Sequence, residues 1–263
     1  SLGAEETRIL EKWSEIPPKS EDILWIGCIG RMSCWDLEHS RVLQSLPKYG
    51  PPDLCCGELH YRFGSWEAYS RRIRDTLAHF EQLDIKRMVC YCGSCYSFLS
   101  VFLPRVYGQT LPFQLISLYQ WLAEKMAAGE ISVQKPLDYT AAVHEACYVS
   151  ELEDSFAGDL RTLYTAAGVR CLELEHHGAH NLSCGGASLS RSQNPTKSIL
   201  PAQNKKYWEV KAAGAKNMAV NCPGCYLTLY PTAWRKGIKL RYMPDELLKA
   251  FGDDITRPLQ KNL

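Results

Sequence analysis

Nine of the twelve cysteines stand in short motifs whose spacing suits metal or redox chemistry. Cys55 and Cys56 are adjacent in "PPDLCCGELH", and the geometry of a disulfide resists a bond between neighbours. Two adjacent thiols can instead face one object from a tight turn. The first half of the chain carries Cys28, Cys55, Cys56, Cys92 and Cys95, and the second carries Cys147, Cys184, Cys222 and Cys225.

The number of thiols in each half limits what they can hold. Four thiolates suit a structural zinc ion or a [4Fe–4S] cluster. Five are too many for tetrahedral zinc and one more than an ordinary cubane cluster takes. In a reducing compartment twelve cysteines indicate metal or redox chemistry rather than disulfides, so zinc, iron–sulfur and thiol redox chemistry all stay open by composition.

The motifs occur twice in the same order. Cys56 and Cys184 are 128 positions apart, and the C-x-x-C pairs "CGSC" and "CPGC" are 130 apart. A nearly constant offset across separate motifs is typical of an internal duplication.

The elements that must position these cysteines also repeat. "EDILWIGC" and "DYTAAVHEAC" are predicted as buried strands that end at a cysteine, and residues 66–83 have helical spacing before the strand "IKRMVCYC". "QNKKYWEVKAAGA" and "KNMAVNC" repeat that order. The sequence therefore predicts an α/β protein with two tandem, internally duplicated Rossmann-like units. We expect a helix and linker over 1–22, a first unit over 23–136 and a second over 137–263.

In this arrangement each motif cysteine follows a strand. That edge of an open α/β sheet is where ligands usually bind. Backbone N–H groups and the positive end of a helix dipole also stabilise thiolates there. Each half is therefore predicted to gather its cysteines into one site.

The repeated pattern Cys…CCG…CxxC resembles the cysteine-rich CCG domain of the B-type subunit of heterodisulfide reductase and of related iron–sulfur oxidoreductase subunits, over roughly residues 22–250. The resemblance implies a noncubane [4Fe–4S] cluster, built from two fused [2Fe–2S]-like units, that binds and cleaves a disulfide. Carried over by motif, its ligands and the catalytic site are Cys28, Cys55, Cys56, Cys92 and Cys95.

The second motif departs from this pattern because Ser183 stands where the first cysteine of CCG belongs. A neutral hydroxyl is a poor substitute for a thiolate on iron. We therefore expect an ordinary [4Fe–4S] cubane in the second half, with the ligands Cys147, Cys184, Cys222 and Cys225.

Remaining candidates have simpler interpretations. Cys34, Cys90 and Cys171 lie outside the motifs, and free cysteine commonly packs as a small apolar residue. His144 is either a hydrogen-bond donor to cluster sulfur or a core histidine. Trp66, Tyr69 and Phe80 are predicted to form the buried face of a helix.

The resemblance implies an oxidoreductase subunit, active within a complex, that accepts electrons from iron–sulfur or flavin partner subunits and reduces a disulfide or similar two-electron acceptor. The alternative is an electron-transfer subunit that links a dehydrogenase to a quinone or ferredoxin pool. A zinc scaffold and thioredoxin-like thiol exchange explain less, because each leaves thiols of the first half without a role.

Charge and hydropathy limit the binding partners and the cellular location that we expect. The formal net charge is +1, which gives no nucleic-acid footprint and no polybasic membrane patch. No apolar run reaches the length of a membrane span, and the first residues lack the core of a signal peptide. We expect a cytoplasmic protein that reaches a membrane only through partner subunits.

Overall fold

The computed structural model describes residues 3–152, 154–186 and 193–259. The chain divides into two compact units, one formed by Ser1–Glu124 with Asp253–Leu263 and the other by Lys125–Gly252. We call them the first and the second unit.

Each unit contains a four-stranded, fully parallel sheet. The strand order is β2-β1-β3-β4 in the first unit and β6-β5-β7-β8 in the second, which is the same order within each unit. The strands are β1 Ser20–Trp25, β2 Lys48–Tyr49, β3 Ile85–Cys90, β4 Gln114–Ser117, β5 Tyr139–His144, β6 Val169–Leu172, β7 Asn217–Val220 and β8 Lys239–Tyr242.

The helices alternate with these strands. They are α1 Ala4–Lys12, α2 Gly27–Gly30, α3 Cys34–Glu38, α4 Glu58–Arg62, α5 Trp66–Phe80, α6 Gly93–Ser97, α7 Leu118–Ala127, α8 Asp154–Ala166, α9 Pro195–Ala212, α10 Pro223–Ala233 and α11 Met243–Ala250. A π-helix, Phe98–Tyr107, follows α6, and short 3₁₀ turns cover Arg31–Ser33, Cys147–Glu151, Gly178–His180 and Trp234–Lys236.

The central strands bury their carboxyl ends. The last three residues of β1 and of β3 are buried, and so are the last three of β7. Such apolar runs are typical of parallel strands that are covered on both faces. Because Trp25 pairs with Cys90 and Cys90 with Ser117, the strands of the first sheet end at one edge.

The predicted α/β class with two tandem units is confirmed by these two parallel sheets. The sequence analysis did not identify β2 or β6, which are edge strands of two and four residues. It was wrong about Trp66, which is 50% exposed, whereas Tyr69 and Phe80 are buried. Trp66 is the first residue of α5 and lies beyond the end of the buried stripe.

The segment after Asp253 packs on the first unit, although it follows the second along the chain. The Asp253 carboxylate accepts hydrogen bonds from the Ser40 hydroxyl and from the backbone N–H groups of Arg41 and Val42. The Asp36 carboxylate accepts others from the N–H groups of residues 256 and 257. Buried carboxylates that satisfy backbone donors hold this segment in place.

Candidate functional site

The first cysteine site lies at the carboxyl edge of the first sheet. Cys28 is in α2, directly after β1, and Cys92 precedes α6, directly after β3. Cys55 and Cys56 come from the loop before α4, and Cys95 lies within α6. The strand ends therefore bring three separate segments of sequence to one place.

The five sulfurs of this site form a continuous series. Each thiol is within hydrogen-bonding reach of the next, in the order Cys28, Cys55, Cys56, Cys95 and Cys92. Cys56, Cys92 and Cys95 are buried, whereas Cys28 and Cys55 are half-buried. The site thus has a sealed end and an accessible end.

Hydrogen bonds within the series lower the pKa of some of its thiols and raise the pKa of others. The pKa of Cys55 lies far below its ordinary value because the thiols of Cys28 and Cys56 donate to its sulfur. The pKa of Cys92 is lowered because the Cys95 thiol donates to it.

The donors have the opposite shift. The pKa values of Cys28 and Cys56 are raised because each donates to Cys55, and burial raises them further. The pKa of Cys95 is raised because its thiol is within hydrogen-bonding reach of Cys56 and Cys92, and burial raises it further. Several buried thiolates so close together repel one another, so a bound cation is needed before all five can ionise.

Two glycines allow the backbone to approach these sulfurs. Gly57 has φ +81° and donates its N–H to Cys55 Sγ at 3.5 Å. Gly27 has φ +65°, and a Cβ atom there would lie 2.9 Å from Cys95 Sγ. Both positions need a residue that adopts the left-handed region without strain, which explains the glycines.

Thr76 of α5 holds the loop that carries Cys55 and Cys56 through hydrogen bonds to its backbone. Its hydroxyl oxygen accepts a hydrogen bond from the Cys55 N–H at 3.2 Å. The same hydroxyl is placed to donate to the Cys55 carbonyl oxygen at 3.0 Å. Thr76 is fully buried. It therefore determines where the two adjacent cysteines point.

Charged and aromatic groups surround the first site. The positive charge of Arg31 contributes to the low pKa of Cys55, and Arg31 donates to the Pro51 carbonyl at 2.7 Å. Glu58 is buried close to Cys56 and Cys92 and is paired with Arg62. Tyr69, Phe98 and Phe102 form an aromatic cluster beside Cys56.

The second cysteine site lies at the same edge of the second sheet. Cys225 of α10 is within hydrogen-bonding reach of Cys184 and Cys222, and these contacts raise its pKa. These three residues are buried. Cys147 opens the 3₁₀ turn that follows β5 and is half-buried. The four predicted ligands therefore share one sheet edge, with contacts among three of them.

Ser183 has the backbone role that Cys55 has in the first site. The Gly185 N–H donates to Ser183 Oγ at 3.1 Å, as the Gly57 N–H donates to Cys55 Sγ. Gly185 also has φ +83°, close to the φ of Gly57. The two units thus share the turn, while a hydroxyl replaces its thiol in the second.

The structure adds residues that sequence reasoning missed, namely Thr76 and Glu58 beside the first site and Lys206 and Gln203 beside the second. Lys206 lies 130 positions after Thr76, the same offset as the C-x-x-C pairs. The 130-residue offset could have identified Lys206 as the counterpart of Thr76, but only after α5 and α9 had been aligned with each other.

The other candidates lie outside the two series of sulfurs. Cys90 is buried within β3, and burial raises its pKa. Cys34 is buried in α3, and Cys171 is half-buried on β6. His144 ends β5, is 1% exposed, and its ring nitrogens contact no hydrogen-bond partner among the described residues. Burial holds its pKa well below the ordinary value.

The donor sets fit iron–sulfur groups. The first is a crowded series of five sulfurs, several of them poorly ionised without a cation, and it exceeds what tetrahedral zinc takes. The second offers up to four cysteine sulfurs at one edge. Backbone N–H groups that point at Cys55 and Cys184 add the hydrogen bonds that such sulfurs commonly accept.

Comparison with known proteins supports the same chemistry. The cysteine-rich domain CCG matches residues 24–100 and again 141–230. The D-type subunit of the dihydromethanophenazine:CoB–CoM heterodisulfide reductase of Methanosarcina barkeri is 23% identical over 220 residues, which cover 80% of this chain and 54% of that protein. The motifs of the sequence pointed to the B-type subunit of such reductases, whereas the reductase subunits that match are of the D type.

Other relatives are redox proteins as well. The EtfAB:quinone oxidoreductase of Syntrophomonas wolfei is 23% identical over 63% of this chain and 24% of its own length. A probable iron–sulfur-binding oxidoreductase of Bacillus subtilis, FadF, is 20% identical over 82% of this chain and 32% of its own. The chain spans about half the length of the D-type reductase subunits, and less of the others. Within the described residues, each helix is too short or too polar to traverse a bilayer.

Proposed function

The chain belongs to the cysteine-rich CCG-domain family, and from that premise we propose that it is an iron–sulfur redox subunit that reduces a disulfide at its first cysteine site. The observation that carries the proposal is the continuous series of five sulfurs in the first unit. The redox relatives support an oxidoreductase role.

In this proposal the first site holds a noncubane [4Fe–4S] cluster. Its ligands are the five cysteines of the first unit, Cys28, Cys55, Cys56, Cys92 and Cys95. The half-buried Cys28 and Cys55 mark the side from which a small disulfide approaches. When bound, the cluster supplies iron that can bind sulfur, together with single electrons for the cleavage.

The second site holds a [4Fe–4S] cubane in this proposal. Its ligands are Cys147, Cys184, Cys222 and Cys225. Ser183 stays outside the ligand set because its hydroxyl already accepts the Gly185 N–H and carries no charge.

The chain itself determines two things in this reaction. Thr76 and Gly57 hold the adjacent cysteines in their turn, and the aromatic cluster at Phe98 and Phe102 excludes water from the sealed end. Reduction of one disulfide needs two electrons and two protons. We propose that the electrons come from iron–sulfur or flavin subunits of a larger complex, in the cytoplasm or at a membrane reached through those partners.

One observation favours a second function. The match to an EtfAB:quinone oxidoreductase supports an electron-transfer subunit between a dehydrogenase and a quinone pool, with no disulfide chemistry. Both functions need iron–sulfur chemistry, but electron transfer can proceed through the second-site cubane alone, whereas disulfide reduction also needs the noncubane cluster of the first site.

The test is an anaerobic count of iron and zinc together with EPR spectra before and after thiol-specific oxidation. We expect about eight iron atoms per chain, four for each [4Fe–4S] site, and a signal that appears on oxidation. Cys222→Ser should lose the cubane signal, whereas the control Cys171→Ser, which changes a half-buried cysteine outside the site, should keep it.

The outcomes separate the proposals. Zinc without iron contradicts both functions. About four iron atoms with only a reduced-cubane signal supports the electron-transfer subunit. Iron at both sites, with disulfide turnover by the purified complex, supports the disulfide reductase.

A further inference from the structure

Lys206 is a fully buried cation near the centre of α9. Its side chain is 1% exposed, and among the described residues Nζ has no hydrogen-bond partner. Burial lowers the pKa of its ammonium group. Burying a charge without a partner strongly destabilises a fold, as breaking a buried ion pair does. Such a residue is rarely kept unless something nearby carries the opposite charge.

The acidic side chains near Lys206 are directed to other donors. Glu209 accepts hydrogen bonds from His176, at 2.7 Å from Nδ1 and 3.4 Å from the backbone nitrogen. Glu145 lies 2.8 Å from Arg161 Nη2 and accepts the Gly178 N–H. Both carboxylates attract Lys206 at a distance, but neither is its hydrogen-bond acceptor.

The other groups that act on Lys206 are two cysteines of the second site. Cys225 and Cys184 both favour its charged form, and they are themselves in contact. Burial lowers the pKa of the His144 imidazole well below its ordinary value, and the charge of Lys206 lowers it further. Gln203, one helical turn before Lys206, donates to the Cys184 carbonyl at 3.3 Å, so the buried face of α9 that carries Lys206 lies against the second site.

The equivalent position in the first unit has a different residue. A Cβ on Gly57 would contact Tyr69, and one on Gly185 would contact Ile199, so α5 and α9 align with an offset of 130 positions. That offset pairs Lys206 with Thr76, whose hydroxyl binds the Cys55 backbone. Relative to the first site, the second has lost one thiol at Ser183 and gained one cation at Lys206.

We propose that the Lys206 ammonium is the buried counter-charge of the group held by Cys147, Cys184, Cys222 and Cys225, and that it raises the reduction potential of the second site. The inference rests on the proposed [4Fe–4S] cluster there. Adding one electron makes the cluster more negative, so a fixed positive charge stabilises the reduced form more than the oxidised form. The electron comes from the partner subunit, and no covalent bond is formed or broken. Lys206 is a positioning residue, because it acts through the cysteines and the cluster.

The experiment is an anaerobic redox titration of the full chain, followed by EPR of the second-site signal. Lys206→Met removes the charge and keeps an unbranched side chain of similar length. Lys205→Met is the matched control, because Lys205 is the preceding residue of the same helix and is exposed. Lys206→Arg keeps the charge.

We expect the reduced-to-oxidised ratio of Lys206→Met, at a fixed ambient potential, to fall about tenfold, which is about 59 mV for a one-electron couple. The ratios of Lys205→Met and Lys206→Arg should stay close to that of the unchanged protein. Iron content, measured on the same samples, should be the same in all four.

Two results would overturn the inference while leaving the proposed function intact. One is an equal potential in Lys206→Met and Lys205→Met. The other is iron loss or a potential shift in Lys206→Met that Lys206→Arg shows equally, which would make Lys206 a packing residue only. An unchanged protein with no iron in the second site would instead overturn the proposed function, and the counter-charge with it.

Discussion

The two units of this chain share a scaffold and differ in the residues at its carboxyl edge. Both sheets have the same strand order, and in both a strand is followed by a C-x-x-C pair at the start of a helix. At the CCG turn, however, Ser183 takes the place of Cys55, and on the supporting helix Lys206 takes the place of Thr76. The scaffold thus fixes where a site lies, whereas two substitutions change its charge and its number of thiols.

The largest difference that we expect between the units concerns the turn cysteine. Cys55→Ser removes the second thiol of the series of five, to which both Cys28 and Cys56 donate. The first-site signal should therefore disappear, and disulfide turnover should fall by roughly 100-fold or more, since even changes to residues around metal ligands cost 10–100-fold. Iron counting, EPR and turnover by the complex measure this effect.

The matched change in the second unit is Ser183→Ala. It removes a hydroxyl that accepts the Gly185 N–H within the turn, so iron content and the cubane signal should stay unchanged. If Ser183→Ala lost the second cluster, Ser183 would be a ligand and the contrast between the units would fail. Ser183→Cys sharpens the contrast if it produces a second oxidation-dependent signal.

We expect a smaller difference between the units in the stability lost when the glycine of each turn, Gly57 or Gly185, is replaced by alanine. Gly57→Ala places a Cβ 2.5 Å from the Tyr69 ring, whereas Gly185→Ala places one 3.2 Å from the Ile199 side chain. Left-handed backbone costs about 1–2 kcal/mol in both, and overpacking against the buried ring adds about 1–3 kcal/mol in the first.

Hydrogen–deuterium exchange, followed separately in α5 and α9, measures these losses within each unit. We expect faster exchange in α5 of Gly57→Ala than in α9 of Gly185→Ala. Equal exchange in the two variants would show that the Tyr69 ring moves aside at no cost.

The smallest effect should come from the threonine that supports the first turn. Thr76→Val keeps the shape of the side chain but leaves the Cys55 N–H without its acceptor, which costs about 1–3 kcal/mol for a buried donor. Thr110→Val, at an exposed position, is the control. Denaturant unfolding of the iron-loaded chain should show a loss in the first variant only, and equal stability in both would remove Thr76 from the support of the site.

Much of the architecture was predictable because it repeats. The duplicated motifs and the apolar runs that end at Cys90 and at Val220 predicted parallel strands with cysteines at their ends, and both sheets confirm the fold class. The edge strand Lys48–Tyr49 has only two residues and no periodicity to detect. Trp66 fits the helical spacing but lies on the first turn of α5, where solvent reaches it.

The sequence by itself determined the identity of the thiols, their order and the replacement of one of them by Ser183, because these are properties of residue type and spacing. Only the tertiary structure decided how the sulfurs contact one another, since segments far apart in sequence meet at a sheet edge. It also decided that Asp253 returns to the first unit, through buried hydrogen bonds to Ser40 and Arg41.

In "QNKKYWEV" the residue types alone do not show which of the two lysines is buried. Helical geometry turns Lys205 to water and Lys206 into the core, because successive residues are about 100° apart around the axis.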